Sequence, residues 1–277
     1  MSASAATDRA LGVSFIPLDQ PSDQGAVADE VVRFFEDSGL RPEEIVVWRR
    51  DGVSRRAYSA KAVRAVALDP SVREISIWPP EWRYGSELHC YLRTHDPAAP
   101  EFEVRYVTLT TDRLPLIMGE PVWRLLASIV ALYPISHGCV GGYRSMAHAS
   151  RECSLSGAVS AELLDPATRS RLEEDDLCTN IAKRKLRRLY PITIIGPDIW
   201  AQLPPMPDVS PAPTVEDLGN CKLLTAWPTL CEPRDPDFLR GTRALREWLW
   251  PYTIQNPADH VDNDPPLTDS PGARSSP

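Results

Sequence analysis

The sequence predicts an α+β fold in which a mainly antiparallel sheet is packed by helices. Segments with helical spacing alternate along the chain with short β-branched runs, and three such runs follow one another between residues 72 and 110. A chain of 277 residues with 43% hydrophobic content can bury a substantial core. We expect one domain over residues 1–255, with a division into two related α/β halves, 1–135 and 136–255, as the alternative.

The N-terminal region predicts two strands and two helices in alternation. Residues 11–16 form an apolar run that is typical of a strand. Valines and phenylalanines recur at helical spacing over 25–38, and Gly39 suits the left-handed cap of that helix. A second strand is predicted at 43–48. Ser59 then suits the N-cap of a second helix, which ends before an Asp-Pro pair.

The next segment predicts an antiparallel meander followed by a helix. Its three runs, Val72–Trp78, Leu88–Thr94 and Phe102–Leu109, are separated by turns that contain proline and glycine. Pro121 suits the first turn of a helix over 122–132. Because apolar residues cover most of its circumference, we expect a buried central helix.

The C-terminal region continues the mixed pattern. The tract 138–143 contains three glycines, which predicts a strand that packs closely against another backbone. Residues 168–189 place acidic side chains early and basic ones late, as the helix dipole favours. The remaining predicted elements are a strand at 191–195, a short helix at 197–203, a strand at 219–227 and a last helix at 235–250.

The segment 256–277 predicts a disordered tail. It holds five prolines, several aspartates and few apolar residues. Such a composition cannot offset the entropy lost on ordering. We therefore expect these residues to be dispensable for folding.

Charge and hydropathy exclude several classes of protein. The chain has 30 Lys and Arg against 38 Asp and Glu, a net charge of -8, so we expect no nucleic-acid binding. Its longest apolar run, 125–132, is far shorter than the roughly 20 residues of a membrane-spanning helix, so we expect no membrane association. The N-terminus lacks the basic start and apolar stretch of a secretory signal. We expect a cytoplasmic protein.

Catalytic and cofactor motifs are missing from the sequence. Residues 154–157 are the nearest match to the nucleophile-elbow motif GxSxG of serine hydrolases, and they lack its first glycine. The glycine tract at 138–142 matches neither a Walker loop nor a dinucleotide loop. We therefore expect no catalytic residues and no cofactor.

One group of histidines and cysteines deserves comparison with metal sites. His137, Cys139, His148 and Cys153 offer soft ligands within a short span. Structural zinc sites pair ligands two to four residues apart at both ends, and only one such pair exists here. The prediction is that no metal is bound.

Aromatic residues give the strongest indication of a binding surface. Trp78, Glu81, Trp82 and Tyr84 surround two prolines, so three large rings lie near a stiffened turn. Such rings commonly anchor protein interfaces, and we predict that these four residues contact a partner. The alternative is that one ring faces the core while the others cover it.

The C-terminal third resembles a known group of proteins. The matching segments are 187–200, from Arg-Arg-Leu-Tyr-Pro-Ile to Pro-Asp-Ile-Trp, 215–224, and 235–252, which ends in Leu-Trp-Pro-Tyr. In layout they resemble bacterial immunity proteins of polymorphic-toxin and type VI secretion systems, including immunity protein 52 and related uncharacterised domains. The likeness covers roughly residues 187–255. It implies an α+β cytoplasmic protein that binds and neutralises a cognate toxin and has no catalytic residues.

Three functions stay open at this point. An immunity protein is the leading hypothesis, and the acidic balance fits a toxin that is a basic nuclease, because complementary charge accelerates capture. A structural or adaptor component of a bacterial assembly is the second. An enzyme whose site is assembled from scattered residues is the third.

Overall fold

One antiparallel sheet runs through the chain. The computed structural model describes residues 10–19, 21–49, 51–78, 88–91, 107–111, 120–143, 184–255 and 259–264. The described strands are β1 (Ala10–Pro17), β2 (Glu44–Arg49), β3 (Gly52–Ala57), β4 (Val72–Trp78), β5 (Leu88–Tyr91), β6 (Val107–Thr111), β7 (Ile135–Tyr143), β8 (Ile192–Ile195), β9 (Thr214–Leu218) and β10 (Cys221–Thr225). Their order is β3-β2-β4-β5-β6-β1-β7-β8-β10-β9, with every neighbouring pair antiparallel. The predicted fold class is confirmed.

Helices cover the two faces of the sheet at different places. They are α1 (Gln24–Ser38), α2 (Ala60–Leu68), α3 (Glu120–Leu132), α4 (Pro197–Trp200), α5 (Pro236–Gly241) and α6 (Arg243–Leu249). Because neighbouring strand residues point to opposite faces, Ile194 on β8 packs in the core beneath α1, α2 and α3, whereas Ile195 packs with α4, α5 and α6. None of these helices is long and apolar enough to cross a bilayer.

The ends of α1 and α2 follow from local sequence. The Asp23 carboxylate accepts a hydrogen bond from the Ala26 N–H at 3.0 Å, and Gly39 takes a left-handed φ of 68°. The Ser59 hydroxyl accepts from the Ala62 N–H at 3.1 Å. The predicted caps at Gly39 and Ser59 are confirmed.

Strand β7 is glycine-rich because β1 lies directly against it. A Cβ added at Gly138 would lie 2.8 Å from the Phe15 ring and 2.9 Å from the Ser14 carbonyl oxygen. All nine residues of β7 are buried. The predicted close packing of this strand against another backbone is confirmed.

Helix α3 is not the buried central helix that its composition predicts. It lies on the surface of the sheet beside α1, with Arg124 and Ala127 exposed. Arg124 donates hydrogen bonds to Glu120 and to Asp37 of α1, both at 2.5 Å. The alanines explain the difference, because a small apolar side chain can face solvent at little free-energy cost.

Two edge strands were absent from the sequence prediction. β3 and β9 are the outermost strands described, and most of their side chains are exposed. Gly219, expected inside a strand, instead forms the turn between β9 and β10 with a φ of 60°. A strand that faces water on both sides lacks the alternation of apolar and polar residues by which a strand is identified in a sequence.

Two of the predicted helices differ from the structure in where they end. The described end of the 168–189 segment is extended, since the Leu186 N–H donates to the Tyr252 carbonyl at 2.8 Å and the Ile254 N–H to the Leu186 carbonyl at 2.7 Å. Residues 168–183 lie outside the described residues. The predicted 235–250 helix is divided into α5 and α6 at Thr242, whose hydroxyl donates to the Phe238 carbonyl at 2.6 Å.

The predicted disorder from residue 256 does not extend to residues 259–264. Val261 is buried, and the residues around it form a single 3₁₀ turn. Asp259 pairs with Arg188 at 2.9 Å, and Asp264 with Arg246 at 2.5 Å. Ion pairing with distant arginines therefore orders a segment whose apolar content is low. Residues 256–258 and 265–277 lie outside the described part of the chain.

Candidate partner-binding site

The structure places only one of the four predicted anchor residues. Trp78 is the last residue of β4, and its backbone lies opposite Glu44 of β2. Glu81, Trp82 and Tyr84 lie outside the described residues. The predicted anchor therefore stays a prediction.

The histidine and cysteine group is likewise only partly described. His137 and Cys139 are buried on β7, while His148 and Cys153 fall outside the described residues. Burial, and secondarily the charge of Arg187, lowers the pKa of His137 to about 3. The ring is thus neutral near physiological pH. Within the described ranges, no three His, Cys, Asp or Glu side chains lie close enough together to hold a metal ion.

A polar row crosses the sheet face opposite α1. The Trp48 indole donates to the Ser76 hydroxyl at 3.2 Å, and that hydroxyl donates to the Glu74 carboxylate at 3.1 Å. Glu74 and Ser76 are both buried. The strand register places His89 opposite Ser76 and Thr108 opposite His89. Buried polar groups need partners, and the contacts of Glu74 and Ser76 with each other and with Trp48 meet that need. Among the described residues, this row also offers candidate groups to the enzyme hypothesis.

A groove of about 480 Å³ lies at the β9 end of the sheet. We call it the tryptophan groove. Trp123 of α3 and Trp227 form part of its wall, and its other lining residues are Ile192, Glu216, Leu223, Thr225, Pro228, Thr229 and Leu230. Two large rings beside an apolar floor, with one carboxylate, have the character of a protein-recognition surface.

The wall of the tryptophan groove is held rigidly. The Trp227 ring packs edge-on against Phe238 of α5 with a centroid distance of 5.9 Å. Gly241 is needed beneath it, since an added Cβ would lie 2.2 Å from the Trp227 ring. The chain beyond Trp227 is fastened to β7, because the Gly142 N–H donates to the Cys231 carbonyl at 3.3 Å. A partner would therefore meet a preformed surface, which reduces the entropy lost on binding.

Strand β9 is the outermost described strand beside this groove and carries negative charge. Among the described strands it pairs only with β10, and three of its five residues are exposed. Glu216 lines the groove, and Asp217 pairs with Lys222. The opposite edge is basic, since β3 exposes Arg55 and Arg56. The two edges of the sheet thus favour partners of opposite charge.

Sequence reasoning missed the tryptophan groove because its parts are far apart in the chain. Trp123 and Trp227 come together only when β7, β8 and β10 lie side by side. The residues Leu-Gly-Asn-Cys at 218–221 did carry a signal, since Gly-Asn between two alternating runs indicates a hairpin. That hairpin would have revealed β9 as a strand.

Comparison with known proteins shows a likeness in fold to a solved structure. No family model matches the chain, and no curated protein matches it. The fold is similar to that of the Pseudomonas aeruginosa T6SS protein PA0821, with a TM-score of 0.50 and 14% sequence identity. The likeness covers 87% of this chain and 72% of that one. At this identity the two proteins share a fold.

Proposed function

We propose that this chain is an immunity protein that neutralises a protein toxin of a type VI secretion system by stoichiometric binding in the cytoplasm. The observation that carries the proposal is its likeness in fold to a T6SS protein over most of its length. A preformed groove beside an open sheet edge is suited to binding a protein.

We infer the binding mode from the tryptophan groove and β9. An extended toxin segment would add to β9 through main-chain hydrogen bonds and direct alternate side chains into the groove. Trp123 and Trp227 would contact apolar side chains of that segment, while Glu216 favours Lys or Arg. The occupant is therefore a basic extended segment of the toxin, which agrees with the net charge of -8 and with a nuclease as the class of toxin.

Co-expression with the toxin gene adjacent to this gene tests the proposal. We expect growth to be rescued at about one equivalent of this protein and calorimetry to give a 1:1 complex with a dissociation constant below about 1 μM. Absence of both rescue and binding would overturn the proposal. Rescue far below one equivalent would favour the enzyme hypothesis instead, and substitutions at Ser76 and His89 would then identify its site.

Two tryptophan variants test the surface. Trp123→Ala should weaken binding about 30- to 1,000-fold, which is the usual effect of truncating a central interface tryptophan. Trp48→Ala is the matched control, because Trp48 is 39% exposed near the opposite edge of the sheet. Both variants must keep the wild-type far-UV spectrum. If Trp123→Ala binds normally and Trp82→Ala does not, the 78–84 turn is the anchor and the groove is not.

Charge reversal gives a second measurement on the same surface. Glu216→Lys should slow association most at low salt, because a basic partner is steered by this carboxylate. Asp51→Lys makes the same charge change in the exposed turn before β3 and should have little effect. An adaptor of a secretion assembly, in contrast, would bind an apparatus component and rescue no intoxicated cell.

A further inference from the structure

The two outermost described strands of the sheet, β3 and β9, carry opposite charge on exposed side chains. Five of the six residues of β3 are exposed, as are three of the five residues of β9. The exposed residues of β3 include Arg55 and Arg56, and those of β9 include Glu216 and Asp217. Each strand therefore carries the charge that the other attracts.

The direction of the strands allows β9 of one copy to pair with β3 of another. Every neighbouring pair in the ten-stranded sheet is antiparallel, so direction alternates from strand to strand. Because the number of strands is even, the two outermost strands run in opposite directions. A second copy placed beside the first in the same orientation would bring its β9 antiparallel to β3 and would continue the sheet without turning it over.

The charged side chains of the two strands then match face by face. Arg56 lies opposite Ile45 of β2, and Glu216 lies opposite Leu223 of β10. Both apolar partners pack in the core beneath α1, α2 and α3, so Arg56 and Glu216 project from that same face of the sheet. The other arginine and the other acid, one position along each strand, project from the opposite face.

One register places both arginines opposite both acids. When Arg56 is paired with Glu216, an antiparallel ladder also pairs Arg55 with Asp217. Opposite charges on directly paired residues stabilise a strand pair, and a shift of the register by two residues would separate both pairs.

The existing contacts of these four residues leave them free to exchange partners. Within the described residues, Arg56 and Glu216 have no ion-pair partner. Arg55 and Asp217 each pair with a residue of the neighbouring strand, and their own side chains are 67% and 77% exposed. Exposed ion pairs of this kind contribute little to stability, so a second copy can replace them at small cost.

We propose that this protein self-associates through β3 of one copy and β9 of the next, with Arg56 against Glu216 and Arg55 against Asp217. The contact is heterologous, so two joined copies still present one β3 and one β9 to further copies. Neighbouring strands are rotated by roughly 20–25°, so ten strands rotate each added copy by roughly 200–250° and the product is an open filament. The association needs no toxin, so it is measured on this protein alone.

Sedimentation equilibrium of the full chain tests the self-association. We expect a dissociation constant of about 10 μM to 1 mM for each contact, because a short ladder and exposed charge pairs make it weak. The weight-average mass should rise with concentration across this range and should not level off at the dimer. A chain that stays monomeric throughout, or a mass that stops at the dimer, would overturn the proposal.

Charge reversal at either strand should weaken the association. Arg56→Glu and Glu216→Arg each place like charges opposite one another and should raise the dissociation constant about 3- to 30-fold. Arg33→Glu is the matched control for Arg56→Glu, because it makes the same charge change at a side chain that is 51% exposed on α1. It should associate as the wild type does.

A mixture of the two charge-reversed variants identifies the contact. The acidic β3 of Arg56→Glu then meets the basic β9 of Glu216→Arg, and the unchanged strands of the two variants meet at the next contact. Association should return to the wild-type level. No recovery in a mixture of folded variants, or weakening by only one of the two substitutions, would show that β3 does not pair with β9 and would overturn the proposal. If a variant does not fold, the wild-type sedimentation measurement still decides whether the chain self-associates in this open-ended way.

Discussion

Residues 259–264 are expected to stabilise the C-terminal region, and a pair of truncations isolates their contribution. One variant ends at Asp264 and serves as the reference, while the other ends at Gln255. Residues 265–277 are then absent from both and do not affect the difference. The shorter variant loses Asp259, Asp264 and the buried Val261.

The burial of the two ion pairs sets the expected loss in the free energy of unfolding. Side-chain exposure is only 9% for Arg246 and 20% for Asp264, and 12% for Arg188 and 16% for Asp259. Removing one partner of a buried pair destabilises by about 3–5 kcal/mol, because the other charge is left without compensation. Once the segment is removed, water will solvate the arginines and partly offset the loss of their partners. We therefore expect the free energy of unfolding to fall by about 3 kcal/mol, the lower end of this range. At roughly 2–4 °C per kcal/mol, the thermal midpoint should fall by about 6–12 °C.

Thermal unfolding followed by circular dichroism measures this difference directly. Introducing Arg246→Met into the chain that ends at Gln255 should recover part of the loss, because it removes the charge that the truncation leaves unpaired. The same substitution in the reference variant should lower the free energy of unfolding, since it removes the Arg246 partner of Asp264. Midpoints within about 2 °C of each other for the two truncations would refute the reasoning and restore the view that the whole tail is dispensable.

Two further predictions concern β7 and its neighbours. Because the pKa of His137 is about 3 in the folded chain and ordinarily about 6.5, the unfolded chain takes up the proton first as the pH falls. The stability linked to His137 is complete above pH 6.5 and is lost between pH 6.5 and 3, with about 2 kcal/mol gone at pH 5. The free energy of unfolding of His137→Phe should therefore depend less on pH than that of the wild type. Gly196→Ala should destabilise by more than about 2 kcal/mol, since its Cβ would lie 2.2 Å from the Ile135 carbonyl oxygen. Gly25→Ala in α1, the control in the same urea titration, should change stability by less than about 1 kcal/mol.

Elements with a one-sided environment were predictable from the sequence. Helix α1 shows this well, since its buried valines and phenylalanines and its cap at Gly39 are all local features. Strand β7 is buried on both faces and was predictable for another local reason, because its glycines indicated a close neighbour. Periodicity and capping report the environment of a segment without reference to the rest of the chain.

What could not be predicted depends on contacts between distant parts of the chain. The 259–264 segment looks disordered by composition, and contacts with distant residues order it, among them the ion pairs with Arg188 and Arg246. The tryptophan groove needs the strand order, which local patterns do not fix. Long-range ion pairs and strand neighbours are properties of the assembled fold, so composition and residue spacing do not predict them.

The open edges of the sheet connect the proposed binding mode to the behaviour of the free protein. At one edge Arg55 pairs with Glu44, and at the other Asp217 pairs with Lys222, so part of the edge charge is satisfied internally. Glu216 has no ion-pair partner among the described residues, and it lines the tryptophan groove. Pairing of β3 in one copy with β9 in another would be heterologous, and a heterologous contact builds fibres when its rotation does not close into a ring. A basic toxin segment added to β9 would neutralise Glu216 and also remove the edge on which such growth depends.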